Sequence, residues 1–366
     1  MAAMHYRADQ LGSLLRPAEL LEGRAAYAAG RMTSEQLRDL EDTTILDVLE
    51  MQRQTGIDIF TDGEYRRGTF RSSFADSVDG MVAAESGRNW SGQSAGGQGD
   101  MERVVGGRLR QVRRLTAHES SFLKKRAPGP CKIAVPSAGY LGSRAYRRGI
   151  TEKFYPTMGD LLPDIAAIIG KELQELVAEG IPYIQLDAPG YAAFVDENQR
   201  QRMRADGINP DQAFEEFLMA DNLSVGGLKR EDVTVAIHIC RGNSRSNWHS
   251  QGGYEPIAEK LFNKLEITTY LLEYDTERAG GFEPLRFVPN GKHIVLGLIT
   301  TKSGRLEQQD ELLRRIEEAS KYVPIENLSV SPQCGFASGA AGNLLSWDDQ
   351  RRKLELVVEV ARKVWQ

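Results

Sequence analysis

His238 and Cys240 stand two residues apart at the end of an apolar, β-branched run, Val233-Thr-Val-Ala-Ile-His238-Ile-Cys240. Alternate residues of a strand face the same side, so this spacing projects an imidazole and a thiolate together. Gly242 and Asn243 then break the pattern. A second run, Leu328-Ser-Val-Ser-Pro-Gln-Cys334-Gly335, closes on another of the chain's three cysteines. Two thiolates and one imidazole suit a borderline-soft divalent ion, most naturally zinc, with a carboxylate or water completing a tetrahedron. Glu273 ends the run that follows the His238 strand and is the best-placed fourth ligand. The bland alternatives are that the His-x-Cys pair is a packing accident, that Cys334 is a small buried hydrophobe, and that Glu273 pairs with Arg278 or Arg241.

Other polar residues also close apolar runs: Ser13, Asp62 and Glu64, Ser137, Asp187 and Lys302. Lys302 reads as an acid, an anchor for an anion, or a solvated loop lysine. Arg66, Arg67, Arg241 and Arg245 fall near the same ends, where they either are surface charge or meet an anionic group on a substrate. Asp62 and Glu64, two residues apart on one loop, are too close to flank a glycosidic bond. Gly335-Phe-Ala-Ser-Gly339 is not a phosphate-loop pattern. Tyr65 and Trp248 are candidate pocket walls, whereas His5, His118, His249 and His293 look incidental. Cys131 opens its run at the amino end and reads as structural.

These residues need a frame that brings run ends together. The chain holds eight β runs: an extended piece ending at Leu11-Gly12-Ser13, then 57–61, 132–135, 183–187, 233–240, 267–273, 293–299 and 328–334, most of them separated by helical patterns. Such alternation implies parallel strands with crossover helices. An open doubly wound sheet meets the count, but it would scatter the polar ends along a line. A closed (β/α)8 barrel gathers them on one face, where such folds keep their chemistry. The expectation is therefore a single barrel domain over residues 1–366, with a Gly/Ser-rich insertion near 80–112. Within that insertion, residues 80–84 and 103–112 can pair as a hairpin, and residues 86–99 read as a mobile loop and a candidate lid.

Composition narrows the function classes. With 366 residues and 41% apolar content the chain can bury a sizeable core. A net charge of −5 and a pI near 5.7 leave no electrostatic footprint for nucleic acid or an anionic membrane. No apolar run approaches the roughly 18 residues that cross a bilayer, and the first ten residues lack the apolar core of a secretion signal, so a cytoplasmic protein is expected. Three scattered cysteines are not a disulfide framework. Small-molecule chemistry is the remaining expectation; the oligomeric state stays open.

Taken together, Gly12-Ser13, Asp62-Gly63-Glu64, Asp187-Ala-Pro189, His238-Ile-Cys240, Leu272-Glu273 and Pro332-Gln-Cys334-Gly335 resemble the catalytic C-terminal barrel of cobalamin-independent methionine synthases, and more nearly their stand-alone single-barrel relatives. The resemblance implies that His238, Cys240, Glu273 and Cys334 hold zinc, that the metal takes the thiol of homocysteine, that Ser13 meets the substrate carboxylate, and that Glu64 and Asp187 take its ammonium group. It also implies S-alkylation by a small donor, with the thiol made nucleophilic by the metal.

The departures are informative. No tryptophan stands near Val135-Pro136-Ser137, where the family stacks folate; Thr300-Thr301-Lys302 replaces a proton-donating histidine; and Asp-Glu-Pro reads Asp187-Ala188-Pro189. These leave the methyl donor unnamed, with a non-folate or monoglutamate folate donor favoured. A second reading is thiol alkylation of the epoxide and coenzyme M kind, in which Arg241 and its neighbours would meet a sulfonate. A third, from another class, is a non-catalytic zinc or thiol-binding protein.

Overall fold

The computed structural model describes residues 6–85, 91, 101–229 and 232–365. Two strands, β1 (Val78–Glu85) and β2 (Met101–Gln111), form an antiparallel hairpin. Six more form a parallel sheet in sequence order: β3 (Lys132–Pro136), β4 (Tyr183–Asp187), β5 (Thr234–Ile239), β6 (Thr269–Glu273), β7 (His293–Ile299) and β8 (Leu328–Pro332). Consecutive parallel neighbours require a crossover each time. Helices such as Met158–Ala178, Pro210–Val225 and Gln309–Ala319 supply it.

Two further staves close the ring. Residues 7–9 run beside β8, with the Asp9 N–H donating to Val330 O (2.9 Å) and the Val330 N–H to Arg7 O (3.0 Å). The Asp58 N–H donates to Ala8 O (3.1 Å), and Phe60 exchanges bonds with Pro130 and Lys132 beside β3. Both contacts are parallel bridges, Ala8 to Val330 and Phe60 to Cys131. Between the two staves the Asp58 carboxylate takes the N–H groups of Arg7 and Ala8 (2.8 and 2.9 Å), where a ladder would use a neighbouring carbonyl. The α/β barrel expected from the run ends is thus the fold, with its first two staves the least regular.

Alternation along the strands divides the residues between inside and outside. Ile184, Leu186, Val235, Ile237, Leu272 and Leu296 join the large apolar cluster packed beneath the helices. Tyr183, Ala236, Leu271 and Val295 join Tyr6, Leu11 and Ile59 in a second cluster that fills the barrel. Inward positions nearer the strands' carboxyl ends are polar: Gln185, Asp187, His238 and Glu273. Helix starts carry capping boxes at Thr33, Thr157 and Ser346, which fix where each crossover leaves the loop.

The expected hairpin is present, and buried Glu102 ties it to the barrel through Arg71, Arg144 and Arg147. The expected mobile loop at 86–99 lies outside the described residues, except for Ser91. Its N–H donates to Trp248 O (2.7 Å), and the Trp248 N–H donates back (2.9 Å). The helix after β7 begins at Gln309, because Glu307 turns inward to accept from the Thr300 N–H (2.9 Å) and the Lys353 ammonium (3.0 Å). Among the described residues no helix is long and apolar enough to cross a membrane.

Candidate metal and thiol site

β5 delivers His238 and Cys240, and the loop after β8 delivers Cys334. Their ligand atoms lie within 4.8 Å of one another, and all three residues are buried. His238 Nδ1 faces Leu271 O at 3.2 Å, so in the neutral ring Nδ1 carries the proton and Nε2 keeps a lone pair for a metal. Nε2 is buried without an oxygen or nitrogen partner, which is costly unless something binds it. The bond from Cys334, followed by the pull of His238, holds the Cys240 thiol well below its usual range against the opposing effect of burial. The Gly242 N–H also donates to its sulfur (3.4 Å). Sharing that proton and burial together push Cys334 well above the usual thiol range. One orphaned imidazole nitrogen, one thiolate and one adjacent thiol fit zinc, and the residues expected to bind it do converge.

Glu273, the expected fourth ligand, is not in this cluster. Its carboxylate accepts from Arg278 Nη2 (2.9 Å) and from the Arg241 N–H (2.8 Å). Burial alone would raise its pKa, but Lys302, Arg278 and Arg241 outweigh burial and leave it lowered. The arginine pairing, weighed above as the bland reading, is the observed one.

Beside the cluster opens a small cavity whose wall includes Ser13, Glu64, Asp187, His238, Cys240 and Cys334. The far end is acidic. Glu64 sits on a turn where its own φ is 58° and that of Gly63 is 68°, a left-handed pair that a β-branched residue would resist. The Arg16 guanidinium fixes this turn by donating to Glu64 O and Arg67 O (2.9 Å each). Glu64 Oε2 is buried without a partner, and Arg67 lies 3.4 Å from Oε1. Burial, opposed by Arg67 and aided by Asp187, pushes the Glu64 carboxyl up to about 8. Burial also raises Asp187, against the pull of His238 and its bond from Gln185. Two carboxyls facing a cavity with such poor solvation will ionise readily only against a cation. Ser13 is buried at the same end, and Gly335 is required there: a Cβ at residue 335 would lie 2.0 Å from Ser13 Oγ.

Two expected binding residues do not line the cavity. Arg241 is fully buried behind the metal cluster, with Nε and Nη2 donating to Gly252 O (3.0 and 2.5 Å) and its guanidinium over the Tyr254 ring. Lys302 donates to Gly242 O (2.8 Å), Asn243 Oδ1 and Asn247 O (both 3.3 Å), so its three N–H bonds hold the loop after β5. The expected cluster of arginines is also dispersed. Arg66 pairs with Glu41 and Asp42, while Arg67 pairs with Glu119. Among the described residues no lysine or arginine lines the cavity.

Of the expected aromatic walls, Tyr65 donates to Leu15 O (2.6 Å) and Trp248 lies under Arg278; neither reaches the cavity. The wall is built instead by Phe70 and Tyr140, stacked at 5.6 Å. His249, set aside above as incidental, also lines it, with Nδ1 2.7 Å from Ser250 Oγ. Its place in the loop that carries Gly242 and Asn243 was the available signal. A Cβ at Gly242 would meet the His249 ring at 2.3 Å. Cys131 is buried at the amino end of β3, its thiol pushed up to about 11 by burial.

Comparison with known proteins bears on the family and the fold. The family described as the cobalamin-independent synthase catalytic domain matches residues 8–363. An uncharacterized protein of Bacillus subtilis, YxjG, is 38% identical, the alignment covering 98% of this chain and 95% of that protein. A crystal structure of a putative vitamin-B12 independent methionine synthase from Listeria monocytogenes superposes with a TM-score of 0.76 at 30% identity, covering 100% of this chain and 99% of that one. A B12-independent methionine synthase from Shewanella, solved with selenomethionine, shares the fold at a TM-score of 0.77 and 21% identity, with 98% of each chain covered.

Proposed function

We propose, from the premise that this chain belongs to the cobalamin-independent methionine synthase catalytic-domain family, that it methylates the thiol of homocysteine. The observation that carries the reading is the charge of the cavity wall. It offers two buried carboxyls, Glu64 and Asp187, and no lysine or arginine among the described residues. Such a wall suits an ammonium group and opposes a sulfonate, which disfavours the coenzyme M alternative. The name of the Shewanella neighbour's ligand, a selenium analogue of methionine, supports the same substrate class.

In this reading Glu64 and Asp187 take the substrate ammonium, Ser13 donates to its carboxylate, and the side chain runs toward Cys240 and Cys334. Zinc held by His238, Cys240 and Cys334 would supply the Lewis acidity that keeps a thiol deprotonated at neutral pH. Phe70 and Tyr140 wall the cavity, an apolar surface along which a methyl carbon would approach the sulfur. The sulfur lone pair forms the new S–C bond while the bond from that carbon to the donor atom breaks, its electron pair staying with the donor. Glu273, lowered in pKa and held by Arg278, is a carboxylate kept ionised beside the ligands, available when no substrate sulfur is present. Lys302 and Arg241 act as positioning residues for the loop after β5. A closed, purely structural zinc site would not need an adjoining cavity.

Calorimetry with the zinc-loaded protein tests the reading. Homocysteine should bind and 2-mercaptoethanesulfonate should not; the reverse preference would replace this reading with the sulfonate one. A panel of folate, methylcobalamin, sulfonium and epoxide donors then identifies the alkyl source.

A further inference from the structure

The barrel interior below the cavity holds a buried lysine that the reaction does not require. Lys132, at the amino end of β3, has no exposed side-chain surface. Its ammonium donates to Asp9 Oδ1 (2.5 Å), Gln10 O (2.6 Å) and Gln185 Oε1 (3.1 Å), so its three protons are all used. Gln185 in turn donates through Nε2 to Leu11 O (2.9 Å) and to Asp187 Oδ1 (2.7 Å). Tyr183 completes the network, its hydroxyl donating to Asp9 Oδ2 (2.8 Å).

The amide of Gln185 can sit in only one sense. An ammonium has no lone pair, so the atom beside Lys132 must be the carbonyl oxygen. The two acceptors on the other side, Leu11 O and Asp187 Oδ1, need the NH2 group. A flipped amide would set donor against donor and acceptor against acceptor in a place with no water to relieve either clash. We propose that Gln185, locked by Lys132, is the positioning residue that pins one oxygen of Asp187 and leaves the other for the ammonium group of an amino-acid thiol. The proposal rests on the substrate reading given above. It adds residues two and three side chains removed from the substrate, on β4 and β3.

The test compares two thiols that differ only by the amino group, homocysteine and 4-mercaptobutyrate, binding to zinc-loaded protein by calorimetry. The wild-type protein should prefer homocysteine. Gln185→Met should retain zinc and hold 4-mercaptobutyrate within about twofold, yet lose about tenfold or more of the preference for homocysteine, as when the residue behind a binding group is removed. An unchanged preference overturns the proposal. So does equal weakening of both thiols, which is the signature of a general packing role. A wild-type protein with no preference overturns the amino-acid reading itself, and this inference with it. Lys132→Met combined with Asp9→Asn keeps the buried charge balanced while freeing the amide to turn. It should also erode the preference and carries the test if Gln185→Met does not fold.

Discussion

The two ends of the cavity are built by opposite means. The sulfur end stands on regular strand ends: β5 places His238 and Cys240 by simple alternation, and the run through β8 leads directly to Cys334. At the acidic end Asp187 closes β4, but Glu64 stands on a turn held in a left-handed conformation, where Arg16 grips the backbone of Glu64 and Arg67 while Arg67 is itself held by Glu119. The strand-borne end fixes its ligands by periodicity. The turn-borne carboxyl depends on tertiary bonds between residues about fifty positions apart in sequence. A substitution that removes one end should therefore leave the other standing.

The largest effect expected is at the sulfur end. Cys240→Ser or Cys334→Ser should take the zinc content from stoichiometric to near zero, measured by metal analysis, and abolish methyl transfer while the far-ultraviolet circular dichroism stays the same. Full zinc in both variants would remove them as ligands. At the other end, Glu64→Gln should keep zinc but weaken homocysteine binding by about 2 kcal/mol, roughly thirtyfold, the usual worth of a hydrogen bond to a charged group. Equal binding would take Glu64 out of the recognition of the amino group.

A smaller effect separates the ends by pH. Glu64 keeps its proton up to about 8 in the empty cavity, so an incoming ammonium must displace that proton. From pH 7 to above 8, homocysteine affinity should therefore rise about tenfold more in the wild-type protein than in Glu64→Gln, which keeps only the rise due to the thiol's own proton. The same raised pKa acts on stability in the opposite direction. The folded state holds a proton that the unfolded chain releases above its ordinary carboxyl pKa, so this stabilising contribution is complete in acid and is lost as pH rises toward 8. The smallest effect is steric. Gly335→Ala would press a methyl group onto Ser13 Oγ and should cost about 1–3 kcal/mol of stability, read from denaturant midpoints, with a modest loss of carboxylate recognition.

This contrast also explains what the sequence could reveal. The barrel was legible because each inward and outward residue repeats with period two, and the His238, Cys240 and Cys334 set was legible because strand ends converge in such a fold. Arg241 and Lys302 misled because position near a strand end says nothing about which way a long side chain turns. Arg241 turns to Gly252 O and Lys302 to the loop after β5. Glu273 could be placed beside the metal cluster but not assigned between a metal and Arg278, since both would satisfy the same carboxylate. Phe70 and Tyr140 went unseen because they come from a loop and a helix start whose approach to the cavity only the folded chain defines. The lock formed by Lys132 and Gln185 was hidden for a related reason: within an apolar run, both residues look like defects in a strand.

X-ray absorption at the zinc edge, recorded before and after homocysteine is added, tests the account most directly. One additional sulfur neighbour of the metal is expected once the thiol is present. A first coordination shell that is the same with and without thiol would contradict it.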